Sequence, residues 1–250
     1  MEPTPEPPTP EPPTDGLFPR TRWTLVAEVR AGGSDGHRAL EELCRLYWYP
    51  VYAYVRRSGA SPPDAEDLTQ GYFAQLIDRE NFARADAAKG RLRAFLLSSL
   101  KHFRIDQHRR ESALKRGGGI APLSIDAAQA EARYDKEPAH HEDPESLFER
   151  RWALALLEEA FTRLEAEYEA AGKHELYLAL RPSLSQPGQA ERHQTLAERL
   201  GMTAGAVQVA VHRLRKRYRH ALEATIAETL DDPAEADEEL TYILRVLAAG

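Results

Sequence analysis

The chain has 250 residues, of which 42% are hydrophobic, and its 33 basic and 40 acidic side chains give a net charge of -7. The chain has one cysteine, which cannot form an internal disulfide framework. Its mean hydropathy is -0.57, and no apolar run approaches the ~18 residues that cross a bilayer, which excludes a helical membrane protein. The opening residues lack the basic and then apolar pattern of a secretory signal, so we expect a cytoplasmic protein in which Cys44 is a reduced thiol.

Charge is distributed unevenly along the chain, and two segments are strongly basic. Residues 89–116 carry nine basic and two acidic side chains, and residues 204–220 carry five basic and no acidic ones. Residues 126–149 and 223–239 are acidic instead, with eight acidic side chains each. The basic segments are candidate sites for a polyanion, and solvated faces of amphipathic helices are the alternative for either one.

The first residues form a low-complexity tract in which the sequence TPEPP occurs at 4–8 and again at 9–13. Such a composition favours the polyproline II conformation and buries little apolar surface. We expect residues 1–16 to be a disordered, solvated tail. A ligand for a proline-recognition domain is the alternative.

Apolar residues from Leu17 onward repeat with helical spacing, and alternating runs of β-branched residues are absent, which predicts an all-α chain. The first half is predicted to contain three helices. The first is kinked at Pro50, and the second follows two prolines with Asp64 as its N-cap. The third ends near the glycines at 117–119. Its predicted buried stripe consists of Leu92, Phe95, Leu96, Leu100 and Phe103.

The segment after these glycines is acidic and rich in proline, and helical periodicity returns only after Pro144. Such a composition predicts a flexible linker between two small helical domains. The predicted divisions are a disordered tail at 1–16, a first domain at 17–116, a flexible acidic linker at 117–145, a second domain at 146–230, and an acidic extension with a short amphipathic helix at 231–250.

Residues 195–217 predict a helix, a turn and a second helix, with Gly201 in the turn and Thr203 as the cap. A capped, uncharged first turn can enter a DNA major groove, where glutamine pairs with adenine and arginine pairs with guanine. A helical hairpin with a merely hydrated basic face is the alternative. The face opposite the predicted core stripe presents Gln208, Val209, His212, Arg213, Lys216 and Arg219.

These motifs, in this order, resemble bacterial sigma factors of the sigma-70 family, in particular the extracytoplasmic-function (ECF) group. Residues 64–70 (DAEDLTQ) resemble region 2.2 of that family, and residues 93–110 resemble regions 2.3 and 2.4. Residues 195–219 resemble region 4.2. The resemblance covers about 40–119 and 147–222. It implies an all-α fold with a region 2-like domain and a region 4-like helix-turn-helix domain.

The resemblance implies a protein that binds core RNA polymerase, recognises promoter DNA and directs transcription initiation. The helix implied to dock on the clamp helices of the polymerase's largest subunit carries Asp64, Glu66, Asp67 and Gln70. Binding of the downstream (-10) element is implied for Lys101, His102 and Arg104, with Arg109, Arg110, Lys115 and Arg116 continuing that footprint. Reading of the upstream (-35) element is implied for Gln208, Val209 and Arg213, with His212, Arg215, Lys216 and Arg217 on phosphates.

The chain departs from the family pattern at residues 165–191, where the segment implied to contact the polymerase flap is longer and interrupted by Pro182 and Pro187. The resemblance is compatible with an anti-sigma partner, but it does not identify which protein that partner would be. The extension at 231–250 either restrains a DNA-binding surface or only packs on the second domain.

Two other functions stay open, a stand-alone helix-turn-helix regulator and a helical adaptor that binds only protein. Metal sites at the carboxylates of 64–67 or at residues 140–143 (HHED) are further alternatives. Because no catalytic set appears at meaningful spacing, we expect no catalysis, cofactor or metal.

Overall fold

The computed structural model describes residues 22–77, 90–113, 127–137, 143–185 and 190–249. Within these ranges the chain forms eleven α-helices, one short 3-10 helix and no β-strand, which confirms the predicted all-α fold. The predicted tail at 1–16 lies outside them. The helices are α1 (Arg22–Ala31), α2 (Gly33–Arg57), α3 (Pro62–Ile77), α4 (Leu92–Ala113), α5 (Ala127–Tyr134), α6 (Pro144–Ala170), α7 (His174–Leu180), α8 (Pro182–Ser185), α9 (Ala190–Leu200), α10 (Ala204–Ala227) and α11 (Ala236–Ala248).

The start of α3 differs from the prediction. The helix begins at Pro62, so Asp64 lies inside its first turn and is not the N-cap. The hydroxyl oxygen of Ser61 accepts the backbone N–H of Asp64 at 3.4 Å and donates to the Asp64 carboxylate at 2.6 Å. Proline suits the first helical positions because it lacks the N–H that would find no partner there.

Buried apolar residues form two clusters. The first cluster takes side chains from α1 to α5, from the N-terminal half of α6, from the last turns of α10 and from α11. The second cluster takes them from the C-terminal half of α6, from α7 and α9, and from the first turns of α10. Because α6 and α10 are 27 and 24 residues long, each runs through both clusters. The predicted domain boundary near residue 146 therefore does not separate the two clusters.

Aromatic side chains join α2 to the N-terminal half of α6. Tyr47 stacks on Trp152 with ring centroids 4.2 Å apart, and Tyr54 meets the edge of Phe148 at 6.5 Å. All four side chains are buried. Aromatic pairs add about 0.5–1.5 kcal/mol to the burial of their apolar area, so this contact fixes α6 against the first helices.

A buried ion cluster joins α1 to α6 and to the end of α10. Only 2% of Arg22 is exposed, and its guanidinium lies 3.7 Å from both Glu159 and Glu228. Arg163 holds Glu228 with two hydrogen bonds of 2.6 and 2.5 Å, and the backbone N–H of Arg22 donates to the Glu228 carbonyl at 2.7 Å. A buried guanidinium requires such carboxylates because an unpaired charge is strongly disfavoured away from water.

Part of the segment predicted as a flexible linker is helical and docked. Residues 127–134 form α5, and Glu131 accepts two hydrogen bonds from Arg56 of α2 at 2.7 and 2.9 Å. Glu137 accepts a hydrogen bond from Tyr49 at 2.5 Å and another from Arg151. The prediction is therefore wrong for residues 127–137, because their carboxylates have partners on α2 and α6 that composition does not reveal. Residues 117–126 and 138–142 lie outside the described residues.

The acidic extension packs against the start of α4. Glu239 of α11 is 1% exposed and lies 2.6 Å from the Nε of Arg93 and 3.0 Å from the Nε of Arg91. The guanidinium carbon of Arg93 lies 3.8 Å from the ring centroid of Tyr242, and Ile243 is buried in the first cluster. The extension thus forms the short helix that its pattern predicts, and its described contacts reach α4 and α6 as well as α10.

Candidate nucleic-acid interface

The turn between α9 and α10 is built by local sequence. Gly201 adopts a φ of 63°, in the left-handed region that favours glycine, and the backbone N–H of Met202 donates to the Ala197 carbonyl at 2.9 Å. Thr203 then caps α10, since its hydroxyl oxygen accepts the N–H of Ala206 at 3.2 Å. The predicted turn and cap are both present at the predicted residues.

The face of α10 opposite its buried stripe is exposed over four turns. Val207, Val211 and Leu214 face the second cluster, and the polar side chains lie on the other side of the helix. Val209 is 50% exposed, which is unusual for a large apolar side chain. Among the described residues, no ion pair or side-chain hydrogen bond is found for the exposed set Gln208, His212, Arg213 and Lys216.

Two of the predicted phosphate-binding arginines have intramolecular partners. Arg215 donates a hydrogen bond to the carbonyl of Ser183 in α8 at 2.9 Å. Arg217 lies 3.3 Å from a carboxylate oxygen of Glu167, and its guanidinium carbon is 5.3 Å from the ring centroid of Tyr168. These contacts orient both side chains toward α6 and α8, whereas no such contact is found for Arg213 and Lys216 among the residues that the structure describes.

An open groove of about 700 Å³ runs along this face, between α10 and the α6–α7 junction. Its basic lining includes Arg213, Lys216 and Arg217 from α10 and Lys173 from the junction, and none of the described residues that line it is acidic. Its apolar lining includes Leu176, Met202, Val209 and the ring of Tyr168. A concave surface that is both basic and apolar can hold an anionic partner that also has apolar groups.

The α6–α7 side of the groove was missed by reasoning from the sequence. Lys173 follows Gly172, whose φ of 66° ends α6, and it precedes the first residue of α7. Nothing in the local pattern places it beside α10. A search for basic residues at helix termini would have selected Lys173, but only the packing of α7 against α10 brings it to the groove.

The predicted basic residues of α4 are placed separately from those of α10. Lys101 forms an ion pair of 2.5 Å with Glu145 of α6, and Arg104 lies over the Tyr54 ring at 5.7 Å. His102 is exposed, with its Nδ1 2.8 Å from the Ser98 carbonyl oxygen of its own helix. The backbone of Arg109 and Arg110 continues α4, whereas their side chains, and the whole of Lys115 and Arg116, lie outside the described residues.

The predicted polymerase-binding residues lie in the first three turns of α3. Asp64 and Asp67 are exposed, and Glu66 and Gln70 are partly buried. The amide of Gln70 donates to the carboxylate of Glu66 at 3.1 Å. All four belong to one accessible helical segment, so they can meet a common partner. Within the described ranges, no group of three or more potential metal ligands is found there or elsewhere.

Comparison with known proteins yields one match. Residues 45–113, from the second half of α2 to the end of α4, match the sequence model of the family described as Sigma-70 region 2. No curated protein and no solved structure matches the chain. Among the described residues, none of the helices combines the length and apolar character needed to cross a membrane.

Proposed function

Through residues 45–113, its region 2, the chain belongs to the sigma-70 family of sigma factors, and we propose that it is a member of the ECF group. In this proposal it binds core RNA polymerase, directs it to promoters and supports initiation without catalysing a reaction itself. Its α9–α10 pair reads the upstream (-35) element, and α4 binds the downstream (-10) element.

The observation that carries this proposal is the exposed face of α10, which follows a region 2 match in the same chain. Its first exposed residues, Gln208 and Val209, are uncharged and suit base edges, and the later Arg213 and Lys216 suit guanine and phosphate. Each well-aligned pair with a base edge contributes about 1–3 kcal/mol of discrimination. Within the described part of the chain, neither Arg213 nor Lys216 has an ion pair that would have to break before it meets DNA.

The downstream contact is proposed for Lys101, His102 and Arg104. Because Lys101 and Arg104 hold protein partners, an incoming phosphate must replace the Lys101–Glu145 pair. That pair is half exposed at both ends, with side-chain exposures of 39% and 51%. Its contribution to stability is therefore small, about 0–1 kcal/mol, and a phosphate can replace it at little cost. The acidic first turns of α3 are proposed to bind the clamp helices of the polymerase.

The decisive experiment is in vitro transcription with purified core polymerase over a promoter library. We expect the full chain to join core polymerase and to initiate from promoters that share an upstream and a downstream element. Arg213→Ala is expected to weaken the upstream preference, and Lys101→Ala is expected to impair strand opening. Arg38→Ala is the charge-matched control, because Arg38 is exposed at the start of α2 and pairs with Asp35.

The outcomes separate the alternative functions. DNA binding without any binding to core polymerase would indicate a stand-alone regulator. Binding to protein partners without salt-dependent DNA affinity would indicate an adaptor, since neutralisation of several phosphates gives a steep dependence of affinity on salt. If Lys101→Ala changed the upstream preference and Arg213→Ala impaired strand opening, the roles assigned to α4 and α10 would be reversed.

A further inference from the structure

We propose that the α6–α7 junction holds one phosphate strand of duplex DNA against α10, with Lys173 as the phosphate ligand. The inference rests on the proposed function, in which α10 lies in a DNA major groove, and it adds a contact from outside the helix-turn-helix. It commits to one occupant of the groove beside α10, which is a sugar-phosphate strand of the duplex that α10 reads.

The groove lies on one side of α10, and α8 lies on another. Successive residues of an α-helix project about 100° apart, so Arg215 and Arg217 project about 200° apart. Arg215 donates to the Ser183 carbonyl of α8 at 2.9 Å, whereas Arg217 lines the groove beside the α6–α7 junction. The exposed stripe between these two sides carries Val209 and Lys216. That stripe therefore has the α6–α7 junction along one flank.

The dimensions of DNA bring a phosphate strand to this flank. An α-helix with its side chains is about 10–12 Å in diameter and fills a major groove about 12 Å wide. A phosphate strand therefore runs along each flank of a helix that lies there. On the groove side of α10, that strand would meet Arg213 and Arg217 from the helix and Lys173 from the junction. Lys173 thus adds a contact from the wall opposite α10.

The charges that line the groove suit a phosphate strand. Its basic side chains are Lys173, Arg213, Lys216 and Arg217, and none of its described lining residues is acidic. Within the described ranges, Arg217 is the only one of these four with an ion pair, at 3.3 Å from Glu167. Because Lys173 is exposed and no carboxylate in the described part of the chain pairs with it, a phosphate can bind it without displacing one.

Small residues leave room for the strand beside the first turns of α10. Gly205, Ala206 and Ala210 line the groove there. A Cβ added at Gly205 would meet no atom within 4 Å, so the space in front of this turn is open. The backbone of α10 can therefore approach a phosphate strand closely.

The backbone of the junction fixes the position of Lys173. Gly172 ends α6 with a φ of 66°, and the N–H of Lys173 donates to the Tyr168 carbonyl at 2.8 Å. The Lys173 carbonyl accepts the N–H of Tyr177 at 3.0 Å, and the Tyr177 side chain is buried. A lysine on such a backbone loses less conformational entropy on binding a phosphate than a lysine on a mobile loop.

The first test is the salt dependence of duplex affinity for Lys173→Ala, in the full chain alone and joined to core polymerase. Loss of one phosphate contact reduces the slope of log K against log salt by about 0.9, so affinity should fall about eight-fold at 0.1 M salt and about three-fold at 0.3 M. The fall should be equal for promoter and unrelated duplexes, because phosphates carry no sequence information. Lys173→Arg should keep the affinity within about two-fold, because arginine also binds phosphate.

Lys136→Ala is the matched control. Lys136 is also an exposed lysine, but it follows α5 and does not line the groove. The Lys173 side chain makes no capping hydrogen bond to α7, so both substitutions should leave the Tm unchanged. An equal loss of duplex affinity in the two variants would reflect net charge alone and would overturn the assigned contact.

Neutral methylphosphonates, placed one at a time along both strands, identify the phosphate. We expect one or two adjacent positions on a single strand at which neutralisation weakens binding of the wild-type chain and has no further effect in Lys173→Ala. Such non-additivity is the signature of two groups in contact. Additive losses at every position would show that Lys173 contacts no phosphate, and the proposal would be wrong.

The Lys173 contact and the proposed function fail in different ways. If Arg213→Ala alters the upstream preference but Lys173→Ala leaves the salt slope unchanged, reading by α10 stands and the Lys173 contact is wrong. If neither form of the wild-type protein has salt-dependent duplex affinity, the promoter contact of α10 is wrong, and the Lys173 contact with it. If Lys173→Ala weakens binding of a poly-glutamate peptide and not of duplex, the groove belongs to an acidic protein partner and the proposal is overturned.

Discussion

Replacement of Glu239 tests whether the C-terminal helix α11 is fastened to α4 by a buried charge. The carboxylate is 1% exposed and faces Arg93 at 2.6 Å and Arg91 at 3.0 Å. Removal of one partner from a buried ion pair costs about 3–5 kcal/mol, because the other charge is left without compensation. Arg93 keeps Glu149 at 3.0 Å, so we expect the lower end, about 3 kcal/mol, for Glu239→Ala.

The measurement is urea and thermal unfolding, with Glu238→Ala as the matched control. Both residues lie in the first turn of α11, so the effect of the substitution on the helix itself is similar. Glu238 is 78% exposed and lies 3.8 Å from Arg91, which predicts a change below about 0.5 kcal/mol. For Glu239→Ala we expect the Tm to fall by about 6–12 °C. Equal effects of the two substitutions would refute the assignment of a buried pair.

Two further predictions follow from close contacts and from titration. Gly36→Ala should lower the free energy of unfolding by about 2 kcal/mol, because the new Cβ would lie 2.9 Å from the carbonyl oxygen of Glu28. Gly205→Ala should raise the free energy of unfolding by about 0.5 kcal/mol, because its new Cβ would meet no atom within 4 Å and alanine favours the helix. Denaturant titration of both variants measures the two changes. The hydrogen bond from Arg56 holds the pKa of Glu131 below its ordinary value, so its contribution to stability is present above about pH 4.5 and is lost as the pH falls through the folded-state pKa. The difference in unfolding free energy between the wild-type chain and Glu131→Gln should therefore be constant near neutral pH and shrink below about pH 4, and a difference that grew on acidification would contradict this sign.

Much of the candidate site follows from local sequence. Thr203 and Gly201 determine where α10 begins, because a cap and a left-handed turn depend only on neighbouring backbone groups. The period of Val207, Val211 and Leu214 then determines which side of α10 is buried and which side is exposed. These are short-range properties, and all of them could be predicted without a tertiary structure.

The sequence alone could not show which charged residues are free. Arg213 and Arg215 lie two positions apart in one basic run, yet only Arg215 meets a carbonyl of α8, because α8 packs on that side of the helix. In the same way, Glu131 belongs to a segment whose composition predicts a linker, and its partner Arg56 lies 75 residues earlier.

The sequence by itself thus determined the all-α class, the cap of α10 and the exposed face of that helix, since these depend on residues within one or two helical turns. Only the tertiary structure decided that Lys173 completes the groove and that Glu239 reaches Arg93, which is 146 residues away along the chain. The physical reason is that an ion pair depends on separation in space and on burial, and both are set by how the long helices α6 and α10 pack with their neighbours.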